Sequence, residues 1–71
     1  MQNIEIYLER RKAECRKKSE CANDREQYAR ALLDSTPDRE GVEREINNAM
    51  QIQAVNDALV DFIDDILDKY F

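Results

Sequence analysis

"LLDSTPDREG", Leu32 to Gly41, is the stretch that decides the fold, because it holds the single proline and the single glycine of a 71-residue chain. Thr36 suits a helix N-cap. Pro37 suits the first helical position, where its missing N–H costs nothing and its fixed φ is already helical. Asp38 and Glu40 then set negative charge on the positive end of the helix dipole. Gly41, one turn in, is expected to loosen that turn at a cost of about 1 kcal/mol relative to alanine. The pattern predicts a helix over about 3–34, a turn at about 34–36 and a helix over about 36–70. Each arm is then about 45–50 Å long at 1.5 Å per residue. Two matched arms and a short link make an all-α, antiparallel two-helix hairpin in a single domain spanning residues 1–71.

The first arm places Ile4, Leu8, Cys15, Ala22, Ala29 and Leu33 on one side, with Tyr7, Cys21, Tyr28 and Leu32 on an adjoining strip. Between them runs a heptad series, Ile4, Arg11, Lys18, Arg25 and Leu32, whose middle is basic. Three readings of Arg11, Lys18 and Arg25 stay open. Their stems lie across apolar neighbours with the charged heads in water, or they present a basic strip to an acidic partner, or they form polar layers that fix a bundle's register.

The second arm is more apolar. Ile52, Val55, Leu59, Phe62, Ile66 and Tyr70 follow a helical rhythm, and Ile63 and Leu67 widen the stripe on one flank. Val42, Ile46 and Ala49 continue that flank toward the turn, with Met50 as a flexible outlier. One thin, partly basic helix cannot cover so wide a face. Each large apolar side chain left in water forgoes about 1.5–3 kcal/mol, so a second copy of the chain is expected to cover the stripe and complete a four-helix bundle.

With Leu59 taken as the centre of the stripe, Asp57, Asp61, Asp64 and Asp68 fall within about 40° of the opposite pole and Asp65 about 120° from the centre. They define an acidic face. Like charges recur there at i, i+4 (Asp57–Asp61, Asp61–Asp65, Asp64–Asp68), and no Lys or Arg occurs from Glu45 to Asp68. The first arm instead offers opposite-sign pairs at that spacing: Arg10–Glu14, Glu14–Lys18, Glu26–Arg30 and Arg30–Asp34. Residues 1–35 carry eight basic and seven acidic side chains, and residues 36–71 three and nine. The aspartate face is either simply solvated or shaped to meet a basic surface.

Composition narrows the function. Hydrophobic residues at 42% and charged residues at 38% suit a folded amphipathic helical protein rather than a disordered one. A net charge of −5 repels nucleic acid and anionic membrane, so no direct binding of either is expected. The start "MQNIEIYLER" is charged by its fifth residue, and apolar runs reach only about three residues, so neither a signal peptide nor a membrane span is expected and the protein is placed in the reducing cytoplasm. Cys15 and Cys21, six apart on one helix, cannot bridge each other and are read as small packing residues. There is no histidine, and the Ser and Thr hydroxyls are those of Ser19, Ser35 and Thr36. No catalytic residue, cofactor site or metal site is assigned. "DFIDDILD" has neither the alternation nor the central glycine of a calcium loop.

The expected function is therefore non-catalytic: binding of a larger protein as an inhibitor, adaptor or chaperone-like regulator. A short acidic hairpin that pairs with itself is similar, in size and shape, to small helical regulators of plasmids and phages and to small secretion chaperones. Two alternatives stand beside it. One is a DNA mimic whose aspartate face occupies a nucleic-acid-binding groove. The other is a purely structural bundle.

Overall fold

A computed structural model describes residues 4–71. Helix α1 spans Ile4–Leu32 and helix α2 spans Arg39–Tyr70. Cross-helix bonds join Lys12 to Asp64, Ser19 to Asp57 and Arg25 to Glu45, so rising numbers in α1 meet falling numbers in α2 and the pair is antiparallel. The result is a rod of 55 × 15 × 13 Å. Its radius of gyration, 16.2 Å, exceeds the roughly 11 Å of a compact domain of this length.

The link is longer than the sequence suggests. α1 closes at Leu32, where the amides of Ser35 and Thr36 both bond to the Leu32 carbonyl at 3.1 and 3.0 Å. α2 starts at Arg39, not near residue 36, and its N-cap is Asp38 rather than Thr36. The Asp38 carboxylate accepts the Gly41 N–H at 3.0 Å, and its carbonyl accepts the Val42 N–H at 3.2 Å. Thr36 acts one step earlier, its hydroxyl oxygen accepting the Asp38 N–H at 3.2 Å. Pro37 therefore lies in the link and not at the first helical position.

Gly41 lies directly under the capping carboxylate. A methyl group there would run into the capping carboxylate of Asp38. With no side chain at position 41 the carboxylate sits close over the first turn, where it accepts the Gly41 N–H.

One heptad row of α1 and two of α2 form the buried seam. From α1 come Cys15, Ala22 and Ala29, all buried, with Leu8 half-buried in line with them. From α2 come Ile46, Ala49, Asn56, Val60 and Ile63, also buried. Among the described residues no large side chain is fully enclosed, because α1 offers mostly small ones to the contact. Polar rungs close one edge of this narrow seam: Lys12 Nζ to Asp64 at 2.7 Å, Ser19 Oγ to Asp57 at 2.7 Å and Gln53 Nε2 to Glu26 at 2.7 Å. Asn56 satisfies its buried amide on the Ile52 carbonyl at 2.8 Å. Every buried side-chain polar atom among the described residues has a partner.

Candidate interaction surface

The polar rungs occupy one edge of the hairpin, and the opposite edge is where the surface of interest lies. Arg11, Lys18 and Arg25 each precede a rung residue of α1 by one position, hence by about 100° around the helix. They fall on the far side of the Cys15–Ala22–Ala29 row. A groove of about 640 Å³ opens there, with Arg11, Lys18, Cys21 and Arg25 on one wall and Ile52 of α2 on the other. It continues past Arg25 toward the turn as a second groove, floored by Tyr28, Ala29, Leu32 and Val42.

The α2 wall carries the expected apolar stripe. Val55, Leu59, Phe62 and Tyr70 are 59%, 41%, 62% and 72% exposed. Ile52 and Ile66 are half-buried. Ile63 belongs elsewhere: it is buried in the seam against α1, and half-buried Leu67 continues the seam row of Ile46, Gln53 and Val60. The stripe that faces outward is thus Ile52, Val55, Leu59, Phe62, Ile66 and Tyr70, with Ile4, Tyr7, Tyr28 and Leu32 exposed on α1.

The aspartate face divides in two. Asp57 and Asp64 do not stand opposite the buried side of α2, since that side centres on Asn56 and Val60 and not on Leu59. Each is bonded to α1, to Ser19 and to Lys12. Asp61, Asp65 and Asp68 are exposed and form no ion pair among the described residues.

The basic row divides as well. Arg25 reaches across the groove to Glu45 at 2.6 Å, Arg11 turns to Glu14 at 2.8 Å, and Lys18 is exposed with no ion pair among the described residues. Of the opposite-sign pairs expected along α1, Glu26–Arg30 forms at 2.7 Å, while Glu14 takes Arg11 as its partner.

Two groups in the rungs titrate away from their ordinary values. The Gln53 amide, and after it the Arg30 guanidinium, hold the Glu26 carboxyl below the usual carboxylate range. The hydrogen bond that Lys12 Nζ donates to the Asp64 carboxylate holds Lys12 above the ordinary lysine value.

Sequence reasoning gave no role between the helices to Lys12, Ser19, Glu26, Gln53, Asn56 and Val60. The seven-residue recurrences Val42–Ala49–Asn56–Ile63 and Ile46–Gln53–Val60–Leu67 were the signal that could have found the α2 members. Cys15 packs in the seam as expected, whereas Cys21 is exposed at the groove rim, and both are free thiols. No helix is long and apolar enough to cross a membrane among the described residues. Compared with known proteins, the sequence matches no family, no curated protein and no solved structure.

Proposed function

We propose that this chain is a non-catalytic protein-binding module that pairs with a second copy to complete a four-helix bundle, and that the bundle acts on a larger protein as an inhibitor, adaptor or chaperone-like regulator. The observation that carries the reading is the uncovered groove and stripe. The accessible surface is 5496 Å² for 8.4 kDa, against about 4,600 Å² for a compact monomer of that mass. The excess of about 900 Å² is close to the roughly 800 Å² that each side of a stable protein interface buries. A rod whose own seam is mostly small side chains, with Ile46 and Ile63 the largest of those buried there, gains from a partner the large-side-chain core it lacks by itself.

The DNA-mimic alternative has less support, because two of its five carboxylates, Asp57 and Asp64, are engaged within the chain. A purely structural bundle would use the same face and differs only in having no further partner. The free thiols suit the reducing cytoplasm to which we assign the protein.

Sedimentation equilibrium tests the first step. A dimer mass at micromolar concentration is expected, lost in Leu59→Asp. A monomer mass at several hundred micromolar with full helicity and cooperative melting would overturn the self-association.

A further inference from the structure

We propose that the groove between the Arg11–Lys18–Arg25 row of α1 and the outward stripe of α2 receives an acidic amphipathic helix of the larger protein, one whose apolar stripe is flanked on one side by a carboxylate at every seventh residue. The inference rests on the protein-binding role proposed above and names the chemistry of the partner at this face.

The groove has two unlike walls. On α1, Arg11, Lys18 and Arg25 recur at seven residues, so successive members stand about 10.5 Å apart along one line. Lys17 joins them, and among the described residues Glu14 is the one acidic side chain lining the same opening. On α2, half-buried Ile52 and exposed Val55, Leu59 and Phe62 present hydrocarbon. Past Arg25 the groove runs on over Tyr28, Leu32 and Val42. From Arg11 to Leu32 the way is about 30 Å, the length of a helix of about 20 residues.

The charges on the basic wall are only partly answered. Arg11 holds Glu14 at 2.8 Å and Arg25 holds Glu45 at 2.6 Å, each through one terminal nitrogen. A guanidinium has five donors, so each has others to offer. Lys17 and Lys18 are exposed and form no ion pair among the described residues. An occupant that brought only hydrocarbon would cover the stripe and take water from these cations without replacing it. Carboxylates replace it.

A second copy of the chain does not bring them. Asp57, Asp61, Asp64 and Asp68 lie within about 40° of the pole opposite Leu59, and Asp65 about 120° from it, so a copy that lays its own stripe on this face turns them away from the basic row. Self-association therefore covers the apolar wall and leaves the basic wall unanswered. A helix that answers both walls displaces the second copy from the face they compete for.

The spacing of the basic row sets the spacing of the acids. A helix repeats its face every seven residues when packed along another, so one carboxylate per heptad on the flank nearer α1 meets Arg11, Lys18 and Arg25 in turn. Two apolar residues per heptad then rest on Ile52, Val55, Leu59 and Phe62. The helix can run in either direction, since reversing it exchanges which flank lies toward α1.

Fluorescence anisotropy with labelled peptides of about three heptads tests this, each with leucine at positions a and d and with Glu, Gln or Lys at the single flanking position e. The Glu peptide is expected to bind about tenfold tighter than the Gln peptide, through three exposed pairs that each add a small factor, and the Lys peptide is expected to bind most weakly. Competition from the second copy lowers all three affinities by the same factor, so their ratios do not depend on self-association. Arg11→Gln, Lys18→Gln and Arg25→Gln in one chain, with circular dichroism confirming the fold, should erase the difference. Equal affinity for the three peptides, no binding of any, or a Glu preference that survives in the triple variant would overturn this inference, and with a dimer mass retained each leaves the proposed self-association standing. A monomer mass for a native chain that still selects the Glu peptide would overturn the self-association and uphold the acidic helix.

Discussion

The sharpest comparison uses one substitution at two places. Val55 and Val60 sit five residues apart on α2, but Val55 is 59% exposed and Val60 only 9%. Val60→Ala withdraws two methyl groups from the seam and leaves a gap against the small side chains of α1, at a cost of about 1–2 kcal/mol. For a chain of this size each kcal/mol moves the midpoint by about 4–8 °C, so a fall of about 5–15 °C is expected. Val55→Ala removes the same atoms from water. In the isolated hairpin it should change stability by less than about 0.5 kcal/mol. The assay is thermal unfolding followed by circular dichroism, first at a concentration where sedimentation shows monomer and then a hundredfold higher. At low concentration only Val60→Ala should lower the midpoint. At high concentration Val55→Ala should lose part of the concentration-dependent rise that the native chain shows, because mass action stabilises whatever state holds the partner. If Val55→Ala destabilised the monomer as much as Val60→Ala, the seam assigned to Asn56, Val60 and Ile63 would be wrong.

Asp38→Ala should cost about 0.5–2 kcal/mol in denaturant unfolding through loss of the cap, while Gly41→Ala should come out near zero, its helix-propensity gain of about 1 kcal/mol offset by the displaced carboxylate. The pH dependence should have two limbs. Glu26 is held low, so its contribution is fully present above the ordinary carboxylate value and fades as pH falls through the lowered one. Lys12 is held high, so its contribution is full below the ordinary lysine value and fades as pH rises through the raised one. Glu26→Gln should remove the acid limb, and Lys12→Met the alkaline one, in midpoints measured across pH. Finally, Asp64→Asn should destabilise the monomer by removing the Lys12 pair, whereas Asp61→Asn and Asp68→Asn should leave its melting within about 0.5 kcal/mol of native.

Which parts of this were legible in the sequence follows from what kind of side chain marks each feature. The proline and glycine located the turn, and the Cys15–Ala22–Ala29 row was correctly read as the packed side of α1. The cap was misplaced because Thr36 and Asp38 both satisfy N-cap chemistry, and Pro37 argues for the first of them. The carboxylate of Asp38 lies close over Gly41 and accepts its N–H, and that approach is a three-dimensional fact. The centre of α2 was misplaced for a different reason. The largest hydrophobic residues, Leu59 and Phe62, dominate any reading by hydropathy, yet a helix lined with alanine and cysteine selects small and medium partners such as Ala49, Asn56 and Val60. The sequence reading centred the apolar stripe on Leu59 without locating the side of α2 that meets α1, so it took Asp57 and Asp64 as part of one wet face although both bond to α1.

The two thiols fall on opposite terms with solvent, Cys15 enclosed between the helices and Cys21 open at the groove rim. That gives the native chain a built-in clock and its own reference. A maleimide added to folded protein should modify Cys21 at the rate of a free thiol, while Cys15 waits for the helices to part, so the ratio of the two rates reads the opening equilibrium directly. Each tenfold lag of Cys15 corresponds to about 1.4 kcal/mol of opening free energy. Followed against protein concentration, Cys15 would slow as a partner holds the helices shut. Cys21 would slow only if that partner also lies over the groove rim, so one labelling time course separates a tighter hairpin from a covered one.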